Sequence, residues 1–381
     1  MRVVFWSNIY TRHQEALSEA FADRTDEYTF IAERDEKRKL ETLGKTARHE
    51  PAFVRHADEA NRKKMIRWVT ENADVVLLGV PAPDLVRACI IRKVLIFRYS
   101  ERPFKEEMAT PQRLVRALRW RMWNPPGASI HLLCAGAYTA GDYYKIGLFR
   151  NRTYKWGYFS EFQRSRSIEK LLNEKNYKQI LWAGRLLDWK HPEVALYLAK
   201  DLYEKGICFR LKLIGSGPMR AELEELRKTL KIENSVDMLE IVPPDQLQEI
   251  MEQSGILLMT SDRNEGWGAV VNEAMSCGCT VIGSSQAGSV PYLIKPGING
   301  CVYHYNKQAE LYEIAADLLA HPHKQKKMGE MACHTIETEW NAEEAARRFL
   351  NLADSILTKN CLIEYESGPC SRASVISEDW H

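Results

Sequence analysis

The strongest constraint on this chain is an alternation. Short apolar runs recur along its 381 residues, and longer amphipathic stretches lie between them. In the first half the runs are RVVFW, EYTFIAE, DVVLLG, KVLIFR and IHLLCAG. In the second they are QILWAG, RLKLIG, DMLEIV, GILLMT, TVIGS and GCVY. Runs of this kind read as strands buried on both faces, and the stretches between them as covering helices. HPEVALYLAKDLYEKG shows the helical type: Pro192 stands where a helix begins and Gly206 where one stops. The pattern predicts parallel α/β sheets. A polar stretch, SEFQRSRSIEKLLNEKNYK, separates two sets of runs. The expected architecture is two doubly wound domains facing across a cleft, with ligands at the carboxyl ends of the strands.

Composition narrows the class further. Hydrophobic content of 45% and charged content of 27% are those of a globular protein with a sizeable core. There is no solenoid-length repeat and no low-complexity tract. The nine cysteines include no CxxC pair, and Cys277 and Cys279 flank a single glycine, which is not a zinc spacing. They are expected to be reduced thiols in a cytoplasmic protein. MRVVFWSNIY reads as a first strand, not as a signal peptide. No window approaches the ~20 apolar residues of a membrane span. The net charge of +2 conceals an asymmetry. Residues 1–165 hold 29 Lys+Arg and 20 Asp+Glu, hence +9; the remainder holds 24 and 31, hence −7. An anionic partner is expected at the first half only, and no nucleic acid.

Three segments of the second half carry chemistry. LIGSGPMRAEL runs from a strand through Gly215 and Gly217 into a helix, the beginning of a dinucleotide fingerprint. Its third glycine position is Arg220, so a nucleotide-facing turn fits better than a dehydrogenase. AGRLLDWKHPEVA places Gly184, Arg185 and Lys190 between a strand end and a helix, where two cations make a pyrophosphate clamp. SDRNEGWGAVVNEAM holds Glu265 and Glu273 around a glycine turn. Gly266 and Gly268 let the backbone approach a ligand, and a helix beginning near Ala269 turns its N–H groups toward an anion. A carboxylate one turn inside that helix suits the hydroxyls of a ribose, and Glu265 at the strand end suits a second polyol.

Together GRLLDWKHPE, LKLIGSGP, the segment from Asn264 through NEGWGAVVNEAMSCGCTVIGSSQAG to GCVY, and TEWNAEEAARRF resemble glycosyltransferase family 4. These are retaining, nucleotide-sugar-dependent enzymes of the GT-B fold. The resemblance covers about 170 residues, 178 to 350, in the family's motif order. It implies that Arg185 and Lys190 hold the donor pyrophosphate and stabilise the leaving group. It assigns Glu273 to the ribose and Glu265 to the donor sugar's hydroxyls. The backbone of Gly266, Trp267, Gly268, Ala269 and Val270 would cradle sugar and phosphate, and Gly184, Gly215 and Gly217 would lie beside the nucleotide. Two departures concern donor choice. Glu240 or a neighbour stands where members often have glycine, and Ala287-Gly288-Ser289-Val290-Pro291 where many have Gly-Gly-x-x-Glu.

The first half resembles the family less. His13 and Gln14, at the end of the first strand, are candidates for acceptor binding or simply for starting a helix. Glu101 or Arg102 stands where the family often has a histidine near the sugar; Glu101 is the candidate for orienting the acceptor hydroxyl, and Asp142 is a further acceptor candidate. The expected domains are 1–165, 166–341, and 342–381 as a helix crossing back plus a tail. There is no Asp-x-Asp motif, so no metal is expected. The implied reaction retains configuration by front-face attack, with the protein supplying position and charge. The favoured reading is transfer of a hexose or N-acetylhexosamine, from a UDP-sugar, to a glycan or polyprenyl-diphosphate-linked acceptor of a surface polysaccharide. The alternatives are a GDP-mannose-dependent mannosyltransferase, a sugar-nucleotide epimerase and an inactive nucleotide-sugar-binding protein. Finally, PQRLVRALRWRMWNPP, residues 111–126, mixes arginines with Leu114, Leu118, Trp120, Met122 and Trp123. Such a segment can lie in a membrane interface or pack on the sheet. The first reading puts the protein at the inner face of the plasma membrane.

Overall fold

A computed structural model describes residues 1–33, 50–105, 110–159, 167–359, 363–377 and 380. The chain forms two units. One is Met1–Glu161 with Glu339–Ile376, the other Phe162–Thr338 with Ser377–His381. Each is a parallel sheet covered by helices.

In the first unit the strands are β1 (Arg2–Ser7), β2 (Glu27–Ala32), β3 (Val54–His56), β4 (Val75–Leu78), β5 (Leu95–Ser100), β6 (Ile130–Ala135) and β7 (Thr153–Trp156). Their order is β3-β2-β1-β4-β5-β6-β7. After β3 the chain changes direction of growth, so β1 is flanked by β2 and β4. That is a topological switch point, where connections leave on opposite sides and open a crevice. Val75–Leu78 is wholly buried, as an inner parallel strand of four aliphatic residues should be.

The second unit contains β8 (Asn176–Ala183), β9 (Arg210–Ile214), β10 (Val236–Leu239), β11 (Ser254–Met259), β12 (Thr280–Ser284) and β13 (Gly300–Tyr303). The order is β10-β9-β8-β11-β12-β13, with the switch point between β8 and β11. The loops that carry the sequence candidates follow these two strands.

The sheets differ from expectation in short elements. The apolar runs mark eleven strands; β3 and β7 add two more. β3 has a single apolar residue, Val54, and sits at an edge, so no apolar run announces it. The tail also has structure. Cys370–Ala373 lies antiparallel along β7: Lys155 N donates to Ser371 O at 2.8 Å, Cys370 N to Lys155 O at 2.9 Å and Ala373 N to Thr153 O at 3.1 Å. The tail thereby occupies hydrogen-bonding groups that an edge strand otherwise exposes.

The helix Ala342–Leu357 belongs to the first unit. Asn341 caps it, accepting from Glu344 N at 2.8 Å. It packs on the helix Arg12–Ala22, where Arg24 pairs with Glu343. Its Phe349 ring lies 4.8 Å from Phe97, 5.2 Å from Phe21 and 6.0 Å from Trp156. The described cysteines are free thiols, mostly buried.

Candidate functional site

Two loops of the second unit are bolted together at its switch point. Asp262 N, after β11, donates to Trp189 O, after β8, at 3.0 Å. Thr260 Oγ1 donates to Lys190 O at 2.6 Å and itself accepts from Trp182 Nε1 at 2.8 Å. These ties bring Lys190 Nζ onto Glu265 Oε2, a pair whose side chains are 17% and 11% exposed. Ser261 Oγ donates to the same oxygen at 3.2 Å. The Lys190 ammonium also lies 4.6 Å from the Trp189 ring. Arg185 differs: it is exposed and its side chain has no hydrogen-bond or ion-pair partner among the described residues. An unpaired guanidinium on the loop that also carries Lys190 is suited to an anion.

Backbone packing explains the glycines. A Cβ on Gly215 would meet Gly184 O, and one on Gly217 would meet Leu186 O. The loop after β9 lies directly on the loop after β8, joined by Gly184 N to Ile214 O (3.0 Å) and Leu186 N to Ser216 O (2.8 Å). Arg220, in place of a third glycine, sends its guanidinium to Met238 O and Leu239 O, both at 3.1 Å. It ties down the end of β10, a job glycine could not do. Gly288, outside the sequence candidates, packs on the glycine turn in the same way: a Cβ there would stand 1.9 Å from Gly266 O. Ser289 N donates to Trp267 O at 3.0 Å.

The turn itself is anchored from within. The Trp267 side chain is fully buried, with Nε1 donating to Asn272 Oδ1 at 2.8 Å. It anchors the turn from inside, so only its backbone remains to face a ligand. Gly266 and Gly268 flank it, Gly268 at φ +91°. The helix runs from Val270 to Ser276, with Ala269 as its cap. At seven residues it contributes little dipole, which leaves Arg185 and Lys190 as the main cations. Glu273 is half-buried in that helix. Asn264 Oδ1 and Ser289 Oγ, near Glu265 in the fold's wiring, are buried without hydrogen-bond partners.

Two contributors escape the sequence pattern. Ser261 is one; a hydroxyl directly after a buried strand and four residues before Glu265 is its only signal. His191 is the other, held at φ +49° between the loops. Its Nδ1 meets Glu193 at 2.9 Å, and its Nε2 meets Tyr305 Oη at 2.8 Å and Asp262 at 3.4 Å. Burial acts to lower its pKa, but Asp262 and Glu193 outweigh it and raise the imidazole to about 9.

In the first unit, a cavity of about 340 Å³ opens at the switch point between β1 and β4, lined by Ser7, Asn8, Thr11, Gln14 and Tyr158 among others. Gln14 also accepts from Thr11 N at 3.0 Å, capping its own helix, so the helix-start reading holds for it. The His13 ring stands edge-on to Tyr158 at 5.8 Å. Glu101 pairs with Lys105 and accepts from Tyr158 Oη at 2.9 Å. Asp142 is not open to an acceptor: it is buried and holds Arg102 through two bonds of 3.2 Å.

The geometry agrees with what the chain resembles. Residues 163–334 match the family of glycosyl transferases group 1. The chain is 28% identical over 197 residues to N-acetyl-alpha-D-glucosaminyl L-malate synthase of Bacillus anthracis, covering 52% of this chain and 48% of that one. It is 23% identical over 184 residues to the putative colanic acid biosynthesis glycosyltransferase WcaL of Escherichia coli K12, covering 47% and 45%. The matched region spans about half the length of the curated relatives. Among solved structures, Anabaena Alr3699/HepE in complex with UDP aligns at TM-score 0.68 and 16% identity, covering 93% of this chain and 100% of that one. WaaG, a glycosyltransferase involved in lipopolysaccharide biosynthesis, aligns at TM-score 0.62 and 18% identity, covering 93% and 99%. The fold is that of GT-B glycosyltransferases, with two Rossmann-like units.

Proposed function

We propose that the chain is a retaining glycosyltransferase of family 4 type, which moves a hexosyl or N-acetylhexosaminyl group from a UDP-sugar to a glycan or lipid-linked glycan in surface polysaccharide biosynthesis. The observation that carries this reading is the Lys190–Glu265 pair at the β8/β11 switch point, with Arg185 unpartnered on the same loop. Arg185 and Lys190 take the diphosphate, Glu265 exchanges its bond to Lys190 for a sugar hydroxyl, and Glu273 takes the ribose. Charge building on the leaving phosphate meets two cations, so no metal is called for. Solved neighbours of the fold hold UDP and UDP-glucose, which favours UDP over GDP as the donor's nucleotide.

Acceptor-free hydrolysis of UDP-, GDP- and ADP-sugars is the test. One UDP-sugar should be hydrolysed slowly, and both Glu265→Ala and Lys190→Ala should lower that rate by about 100-fold. Binding without turnover, unaffected by either change, would leave a nucleotide-sugar-binding protein instead.

The membrane reading rests on the helix Thr110–Trp123. Leu114, Val115, Leu118 and Met122 are each 58–65% exposed and fall on one face, with Arg119 and Arg121 beside them. No helix of the described residues is long and apolar enough to cross a membrane, so the contact is peripheral. Vesicles containing phosphatidylglycerol should sediment the protein at low salt, and Leu118→Asp should release it. Equal recovery of both proteins in the supernatant would remove this part of the reading.

A further inference from the structure

β5 carries an arginine whose charge no described carboxylate balances. Arg98 is 1% exposed, deeper than any other arginine in the core. Its Nε donates to Asn124 Oδ1 at 2.9 Å and its Nη1 to Val80 O at 2.6 Å. The Trp120 ring lies 5.8 Å from the guanidinium carbon. Nη2 has no hydrogen-bond partner and is closed to water. No carboxylate among the described residues pairs with Arg98. Burial without a counter-charge lowers its pKa to about 10, which still leaves it protonated at neutral pH.

A buried cation with neither a counterion nor a full set of bonds is costly to keep for packing alone. The groups around it show where compensation is due. Arg98 lines a cavity of about 220 Å³, together with Gly79, Pro81, Glu101, Trp120 and Tyr158. Glu101 is the acid nearest to hand, but its two oxygens already accept from Lys105 and Tyr158. With Glu101 balanced by Lys105, the Arg98 charge remains. Low-dielectric walls carry that field into the cavity with little screening. The cavity shares Gly79, Tyr99 and Tyr158 with the polar one at the β1/β4 switch point, so the two are neighbours.

We propose that the cavity between Val80 and Trp120 is an anion-binding subsite, in which Arg98 attracts a phosphate or carboxylate group of the acceptor. The anion supplies, across the cavity wall, the charge that no described carboxylate provides. The hydroxyl-lined cavity next to it then takes the uncharged, sugar-like part of the same molecule. Calling the ligand an acceptor rests on the transferase reading; the anion site itself does not.

The experiment uses the full chain with the nucleotide site filled by UDP, at constant ionic strength. Inorganic phosphate and acetate are titrated separately by calorimetry into the unsubstituted protein, Arg98→Met and Pro81→Glu. Pro81 is exposed at the cavity wall, so its glutamate places a competing carboxylate there without disturbing the core. At least one ion should bind saturably in the millimolar range, and both variants should weaken it by about tenfold or more. Which ion binds identifies phosphate or carboxylate as the group recognised. If Arg98→Met fails to fold, Pro81→Glu carries the test, with its melting curve as the control. Anion binding untouched by Pro81→Glu places the ion elsewhere and overturns the proposal. No saturable binding of either ion also overturns it, leaving Arg98 as a tie between Val80 and Asn124. UDP binding fails or succeeds independently, so a failed transferase reading is told apart from a failed anion site.

Discussion

Gly288→Ala is the sharpest probe of how the donor loops are built. A Cβ at this position would stand 1.9 Å from Gly266 O and 2.8 Å from Gly266 C. Real Cβ atoms essentially never approach within 3.0 Å, so one backbone must retreat by at least 3.0 − 1.9 = 1.1 Å. Neither partner is a flexible side chain. Ser289 N to Trp267 O ties the same two segments one residue on, and Trp267 is locked in the core. The displacement therefore passes to the turn that places Glu265 and Gly268. Overpacking of this kind costs about 1–3 kcal/mol of stability. A misplacement of about 1 Å in a catalytic constellation costs about 100-fold in rate. Urea unfolding and UDP-sugar hydrolysis measure the two effects separately. Gly297→Ala is the control: φ is +79° there but nothing lies within 4 Å, so it should lose about 1–2 kcal/mol and keep its rate. Hydrolysis by Gly288→Ala at the unsubstituted rate would refute the claim that this packing sets the donor site.

Three further outcomes are expected. His191 has a folded pKa raised to about 9, above the ordinary 6.5, so its stabilisation is complete below pH 6.5 and is lost as pH rises through 9. Unfolding free energy should drop by about 3 kcal/mol across that window, and His191→Gln should flatten the drop when both are followed by urea titration. Arg185→Ala should change stability by less than about 0.5 kcal/mol, because the side chain is exposed and unpaired, yet slow UDP-sugar hydrolysis about 100-fold. Asp142→Ala should destabilise by about 1.5–3 kcal/mol by removing two charge-assisted bonds to Arg102; an unchanged urea midpoint would show the pair to be dispensable.

The sequence is most informative where burial is complete. A strand covered on both faces has no polar positions, so eleven of the strands stand out as apolar runs, and the glycine-bearing loops after β8, β9 and β11 follow at once. It is less informative where an atom's role depends on what lies across the sheet. The spacing marks the backbone of the glycine turn as a contact but does not record that the Trp267 side chain anchors it from inside through Asn272. Asp142 is taken up by Arg102, forty residues away, and no local spacing records that pair. Arg98 ends the run KVLIFR and reads as the polar stop of a strand. Only the register of β5, with Leu78 on one side and Leu132 on the other, places it inside.

Phe349 has a consequence for how the protein is made. The ring sits among Phe21, Phe97 and Trp156, so the core of the first unit is closed by a residue synthesised after the whole of 162–338. A ribosome therefore releases 162–338, which holds every named strand of the second unit, able to complete that sheet while the first unit still lacks a helix. The first unit must wait with an apolar face uncovered, which makes it the part most in need of chaperone protection during translation.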